Sequence, residues 1–69
     1  MASTETRLYV NGESHEVPTT LGELLERLDL EGRKVAIALN RSVVPRSRYA
    51  ETPLQAGDQI EILEAVGGG

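Results

Sequence analysis

The chain has 69 residues, 39% of them hydrophobic, a net charge of −4 and no cysteine. That length allows one domain close to the lower limit for folding alone, because such a domain buries only about 60% of the surface its unfolded chain exposes. Disulfides and thiolate–metal staples are excluded, so the core must come from nine Leu, six Val and three Ile, without Phe or Trp.

A core of this size leaves little room for a ligand cavity of several hundred Å3, which argues against a self-contained enzyme. No apolar run approaches the ~20 residues of a membrane span, and Met1 to Glu5 lacks the basic and apolar regions of a signal peptide. The expectation is a soluble, cytoplasmic protein that stays off membranes and is a monomer when free. The negative charge argues against nucleic acid as a partner. That charge is unevenly spread: Arg33, Lys34, Arg41, Arg46 and Arg48 lie in a stretch without any acid, and the rest of the chain carries two basic residues against eleven acids.

Thr6 to Val10 alternates, with Leu8 and Val10 on one face and Arg7 and Tyr9 on the other. Asn11-Gly12 follows, a strong hairpin signal because both residues tolerate positive φ. Glu13 to Val17 reads as the return strand, closed by Pro18, which cannot extend a ladder. Thr20-Leu21-Gly22-Glu23 has the spacing of a capping box, with the Thr20 hydroxyl on the Glu23 amide and the Glu23 carboxylate on the Thr20 N–H. Leu21, Leu24, Leu25 and Leu28 then form one apolar stripe, and Gly32 is the expected stop. This helix of about ten residues must dock its stripe on a sheet to be stable.

Val35 to Asn40 is apolar on both faces, as an interior strand should be. Val43-Val44 is a short strand cut off by Pro45 and belongs at an edge. Residues 46 to 57 look irregular. Gly57-Asp58 turns into Gln59 to Glu64, where Ile60 and Ile62 share a face and Glu61 and Leu63 take the other. The order strand, strand, helix, strand, short strand, strand predicts an α+β fold, one sheet of four to five strands covered on one face by one helix.

The chain divides into a domain over residues 1–64 and a glycine-rich tail over 65–69. The tail ends Val66-Gly67-Gly68-Gly69. Consecutive glycines lose the most backbone freedom on ordering, so the tail is expected to be flexible. Fully extended, five residues reach at most roughly 17 Å, and without Cβ atoms the glycines can thread a narrow channel. On composition alone, a frayed terminus or an expression scar is the favoured reading, with a tether that presents the Gly69 carboxylate to a partner as the other.

Ala38-Leu39-Asn40, Val44-Pro45-Arg46, Leu54, Gly57-Asp58, Ile60-Glu61-Ile62 and the terminal Gly68-Gly69 resemble the sulfur carrier proteins of thiamine biosynthesis, the ThiS family. The similarity runs over nearly the whole chain from Arg7, and Leu24-Leu25 of the helix fits it. Val-Pro-Arg at this distance from Gly-Asp is its most specific part. Departures are Tyr49, where the family often has Trp, and Ala56, where an acid often precedes Gly-Asp.

The resemblance implies a ubiquitin-like β-grasp fold with a mixed sheet. It also implies a carrier, not an enzyme: an adenylyltransferase related to ubiquitin-activating enzymes would activate Gly69 with ATP. A persulfide sulfur donor would then convert Gly69 to a thiocarboxylate, and thiazole synthase would take up the sulfur. Val66, Gly67 and Gly68 would be the tether. No cofactor is expected on the chain itself, since ATP and the sulfur donor act on the partner enzymes. The small subunit of molybdopterin synthase is similar in fold and terminus, but Val44-Pro45-Arg46 points away from it. Other sulfur carriers, and a β-grasp interaction module without tail chemistry, are further alternatives.

Tyr9, Leu63 and Val66 are candidates for partner contact beside the tail, since aromatic residues are enriched at interfaces. Scattered exposed apolar residues are also normal. The basic stretch from Arg33 to Arg48 reads best as a solvated edge, because single-strand binders use stacking aromatics and only Tyr49 is at hand. His15 should project from the hairpin; alone, without Cys or a second His, it makes no metal site. Asp58 is accounted for as a turn residue.

Overall fold

The computed structural model describes residues 6–64. Strands β1 (Arg7–Val10) and β2 (Glu13–Glu16) form the hairpin expected from Asn11-Gly12, with φ of 51° and 86° at those two residues. Helix α1 (Leu21–Arg27) follows, then β3 (Val35–Leu39), β4 (Ser42–Val44), a 3-10 turn over Arg46–Glu51, and β5 (Gln59–Glu64). The sheet has five strands in the order β2-β1-β5-β3-β4. It is mixed, since β5 runs parallel to β1 and antiparallel to β3. The last strand is thus central, braced on both sides, while β4 is an edge, as Pro45 requires.

One helix covers one face. Leu21, Leu24 and Leu25 are buried against Leu8, Val10, Ile37, Leu54, Ile60 and Ile62, which together form the core of the described residues. Alternation along β1 and β5 supplies the sheet half of that core: Leu8 and Val10, then Ile60 and Ile62, all point to the helix. Gly22 allows the 3-10 turn to close on the helix, because a Cβ there would lie 3.3 Å from the Ala50 Cα. Tyr49 packs half-buried on the core from that turn, its hydroxyl donating to the Val35 carbonyl at 3.5 Å.

Four local expectations need correcting. The Thr20 hydroxyl does accept from the Glu23 amide (3.2 Å), but the Glu23 carboxylate accepts from the Thr19 N–H (2.8 Å) and not from Thr20. The backbone here is steered by residues 52–54: Leu21 N–H donates to the Thr52 carbonyl and Leu54 N–H to the Thr19 carbonyl. The backbone hydrogen bond from Thr19, with Arg27 adding a favourable charge, holds the Glu23 carboxyl below its usual range.

The helix stops before Gly32. Asp29, at φ 60°, takes the left-handed position, with Asp29 N–H donating to the Glu26 carbonyl and Leu30 N–H to the Leu25 carbonyl. Those two bonds are a Schellman stop, and Leu30 completes it by packing on the core. Gly32 belongs to the next turn.

Asn40 lies outside its strand. With Arg41 it forms a second two-residue turn at φ 50° and 73°. Residues 46 to 57, expected to be irregular, contain the 3-10 turn.

Candidate functional site

The site is built around the far end of β5. Asn11 and Asn40, at the two hairpin turns, reach across to this strand from opposite sides. Asn11 Oδ1 accepts from the Ile62 N–H (2.9 Å) and its Nδ2 donates to the Ile62 carbonyl (3.1 Å). Asn40 Oδ1 accepts from the Gln59 N–H (3.0 Å) and its Nδ2 donates to Asp58 Oδ1 (3.0 Å). Asp58 is therefore more than a turn residue, since its other oxygen accepts from the Gln55 N–H. At the exit of β5, Glu64 pairs with Arg33 at 2.6 Å. The strand is fixed at its start, along its length and at its last described residue.

Among the described residues, none covers the sheet face away from the helix. On it, Leu63 is 72% and Val43 79% exposed, and these are the exposed large hydrophobics among the described residues. Register places Leu63 opposite Ala36, and Ala38 opposite Val43 on one side and Glu61 on the other. Leu63, Ala36, Ala38 and Val43 thus form an apolar strip across three strands. Next to it an open concavity of about 340 Å3 is lined by Lys34, Val35, Ala36, Arg46, Leu63 and Glu64. The apolar strip and two cations meet where β5 ends.

Leu63 stands where the sequence placed it, exposed on the open face. Tyr9 shares that face but is half-buried, and it pairs with Gln59 at the start of β5. Four residues of strand put it about 13 Å from the level of Leu63, at roughly 3.3 Å per residue. The expectation of Tyr9 beside the tail is therefore corrected, because β1 and β5 run parallel and Tyr9 lies at the wrong end. Val66, Gly67, Gly68 and Gly69 lie outside the described residues, as does the expected tail over 65–69.

Val43 was missed. Its signal was the doublet Val43-Val44, since in a strand only one of two neighbours can face the core. Of the basic stretch, Arg33 pairs with Glu64 and Arg48 with Glu51, while Lys34 and Arg46 rim the concavity. His15 does not project outward: it sits opposite Leu8 on the helix side, half-buried, with Glu13 Oε1 at 3.8 Å. Among the described residues no group of three or more His, Cys, Asp or Glu could hold a metal, and no helix is long and apolar enough to cross a membrane.

A five-stranded mixed sheet with a hairpin start, one helix on one face and a central last strand defines the ubiquitin-like β-grasp class. A family model described as the ThiS family matches residues 4–69, and the chain belongs to that family. It is 42% identical over 50 residues to the sulfur carrier protein ThiS of Escherichia coli, covering 72% of this chain and 76% of that one. The crystal structure of the thiamine biosynthesis protein ThiS from Geobacter metallireducens superposes with a TM-score of 0.75 at 32% identity, covering 91% of this chain and 99% of that one. A thiazole synthase of Magnetococcus marinus is 43% identical over 65 residues, 91% of this chain. The chain spans only about a fifth of the length of that thiazole synthase and of a second one from Paramagnetospirillum magneticum.

Proposed function

We propose that this chain is a sulfur carrier of thiamine biosynthesis, a co-substrate and not a catalyst, with the Gly69 carboxylate as its reacting group. The observation that carries the reading is the reach of the family match, which runs to residue 69 and so includes the terminal glycines. A carboxylate is a poor electrophile, because resonance and charge resist attack. Transfer of AMP from ATP, on a partner adenylyltransferase, gives the acyl carbon a leaving group. The terminal sulfur of a persulfide donor then attacks the acyl carbon and displaces AMP. A thiol cleaves the resulting acyl disulfide by exchange, pairing with the donor's other sulfur and leaving a thiocarboxylate for thiazole synthase. These steps belong in the cytoplasm, where ATP is at hand.

The fold supports this reading by what it holds still. A central strand, clasped on both sides, carries the tail, and the strip Leu63, Ala36, Ala38 and Val43 gives a partner something apolar to cover. Val66, Gly67 and Gly68 act as the tether, and Val66 is also a candidate for partner contact. That thiazole synthase relatives contain a domain similar to this chain favours the synthase as one partner. The test is intact-mass spectrometry after incubation with ATP, a persulfide donor, a thiol and the adenylyltransferase. The expected result is a gain equal to replacing one oxygen by sulfur, located at Gly69. No such gain with an enzyme active on another carrier would refute the proposal.

A further inference from the structure

We propose that Asn11 is a site of deamidation whose reactivity the folded state suppresses through its clasp on β5. The sequence Asn11-Gly12 carries the chemistry. In an asparagine followed by glycine, the backbone nitrogen of the glycine can attack the side-chain carbonyl carbon unhindered. The new C–N bond closes a five-membered succinimide and Nδ2 leaves as ammonia. Water then opens the ring at either carbonyl, giving aspartate or isoaspartate, with no oxidant or reductant involved.

The structure opposes each part of that sequence. Both heteroatoms of the Asn11 carboxamide are engaged by one residue, Ile62, through bonds of 2.9 and 3.1 Å. The carbonyl carbon is therefore held toward β5, and Nδ2 cannot leave without giving up its bond to the Ile62 carbonyl. Reaction requires both bonds to open first. This lowers the reactive population by roughly tenfold or more.

Conversion would not be silent. A carboxylate at position 11 can still accept from the Ile62 N–H but cannot donate to the Ile62 carbonyl, so two oxygens would face each other. The new charge would also enter a groove that Glu13 and Glu64 already line with Asn11. Ile62 is two residues from the end of the described strand, so the part of β5 loosened would be the part that carries the tail.

Asn40 provides an internal control. It too sits in a turn at positive φ and bonds to β5, but Arg41 follows it, and that Cβ crowds the attacking nitrogen. The experiment incubates the full chain in mildly alkaline buffer, with and without denaturing urea, and follows both asparagines by peptide mapping. In urea Asn11 should convert while Asn40 persists; in buffer Asn11 should convert at least about tenfold more slowly than in urea. Equal rates at Asn11 in both conditions would overturn the protective role of the clasp. Persistence of Asn11 in urea, or Asn40 keeping pace with it there, would overturn the site itself. The variant Asn11→Asp should unfold at a lower urea concentration than the parent, and an unchanged midpoint would contradict the loosening of β5.

Discussion

Leu63 and Leu25 are both apolar, yet a charge at the two positions should act on different quantities. Leu25 is in the core, 5% exposed, and Leu63 is 72% exposed on the uncovered face. Replacing an exposed side chain away from caps and cores usually changes stability by no more than about 0.5 kcal/mol. Leu63→Asp should therefore leave the urea midpoint nearly unchanged. Its effect should fall on association, where losing a central apolar anchor and burying an unpaired charge costs about 1–3 kcal/mol, or roughly tenfold and upward in affinity. Binding to thiazole synthase by titration calorimetry checks this, and an unchanged affinity would remove Leu63 from the interface. Val43 belongs to the same strip, and alternation alone says that one of Val43 and Val44 faces out but not which. Three residues are too few to fix a phase, so only the partner register in the sheet decides which valine faces out.

The hairpin and helix were legible because each rests on local chemistry. Asn11-Gly12 can satisfy a two-residue turn by itself, and the Thr20 cap before a Leu stripe marks a helix start. The helix end was misplaced for the opposite reason. A Schellman stop at Asp29 depends on Leu30 finding the core, which is tertiary information, whereas Gly32 only advertises tolerance of positive φ. The correction carries a prediction. Asp29 holds φ 60° at a cost glycine does not incur, and its carboxylate sits at the helix terminus that disfavours negative charge. Asp29→Gly should stabilise the domain by about 0.5–1 kcal/mol, less the greater freedom glycine has when unfolded. Equilibrium urea denaturation measures it, and a loss of stability would show that the Asp29 side chain holds a compensating contact.

At the scale of the molecule, topology separates what keeps the chain folded from what it presents. Among the described residues the core lies within residues 8–62, and both asparagine clasps and the Arg33–Glu64 pair act at or before residue 64. Nothing after Glu64 is needed for that set of contacts. Deleting Gly69, or adding one residue beyond it, should accordingly leave the unfolding midpoint and slope as they are. If, as proposed, an adenylyltransferase activates Gly69, activation should behave differently, because attack on ATP requires the terminal carboxylate at one position. A shift of one residue moves it by about 3.5 Å, and an ångström of misplacement can already cost two orders of magnitude in rate. Pyrophosphate release with the adenylyltransferase is the measurement, run beside denaturation of the same variants. Retained pyrophosphate release by the extended form would sink the tether model. Joint loss of activation and stability would mean instead that the tail belongs to the folded domain.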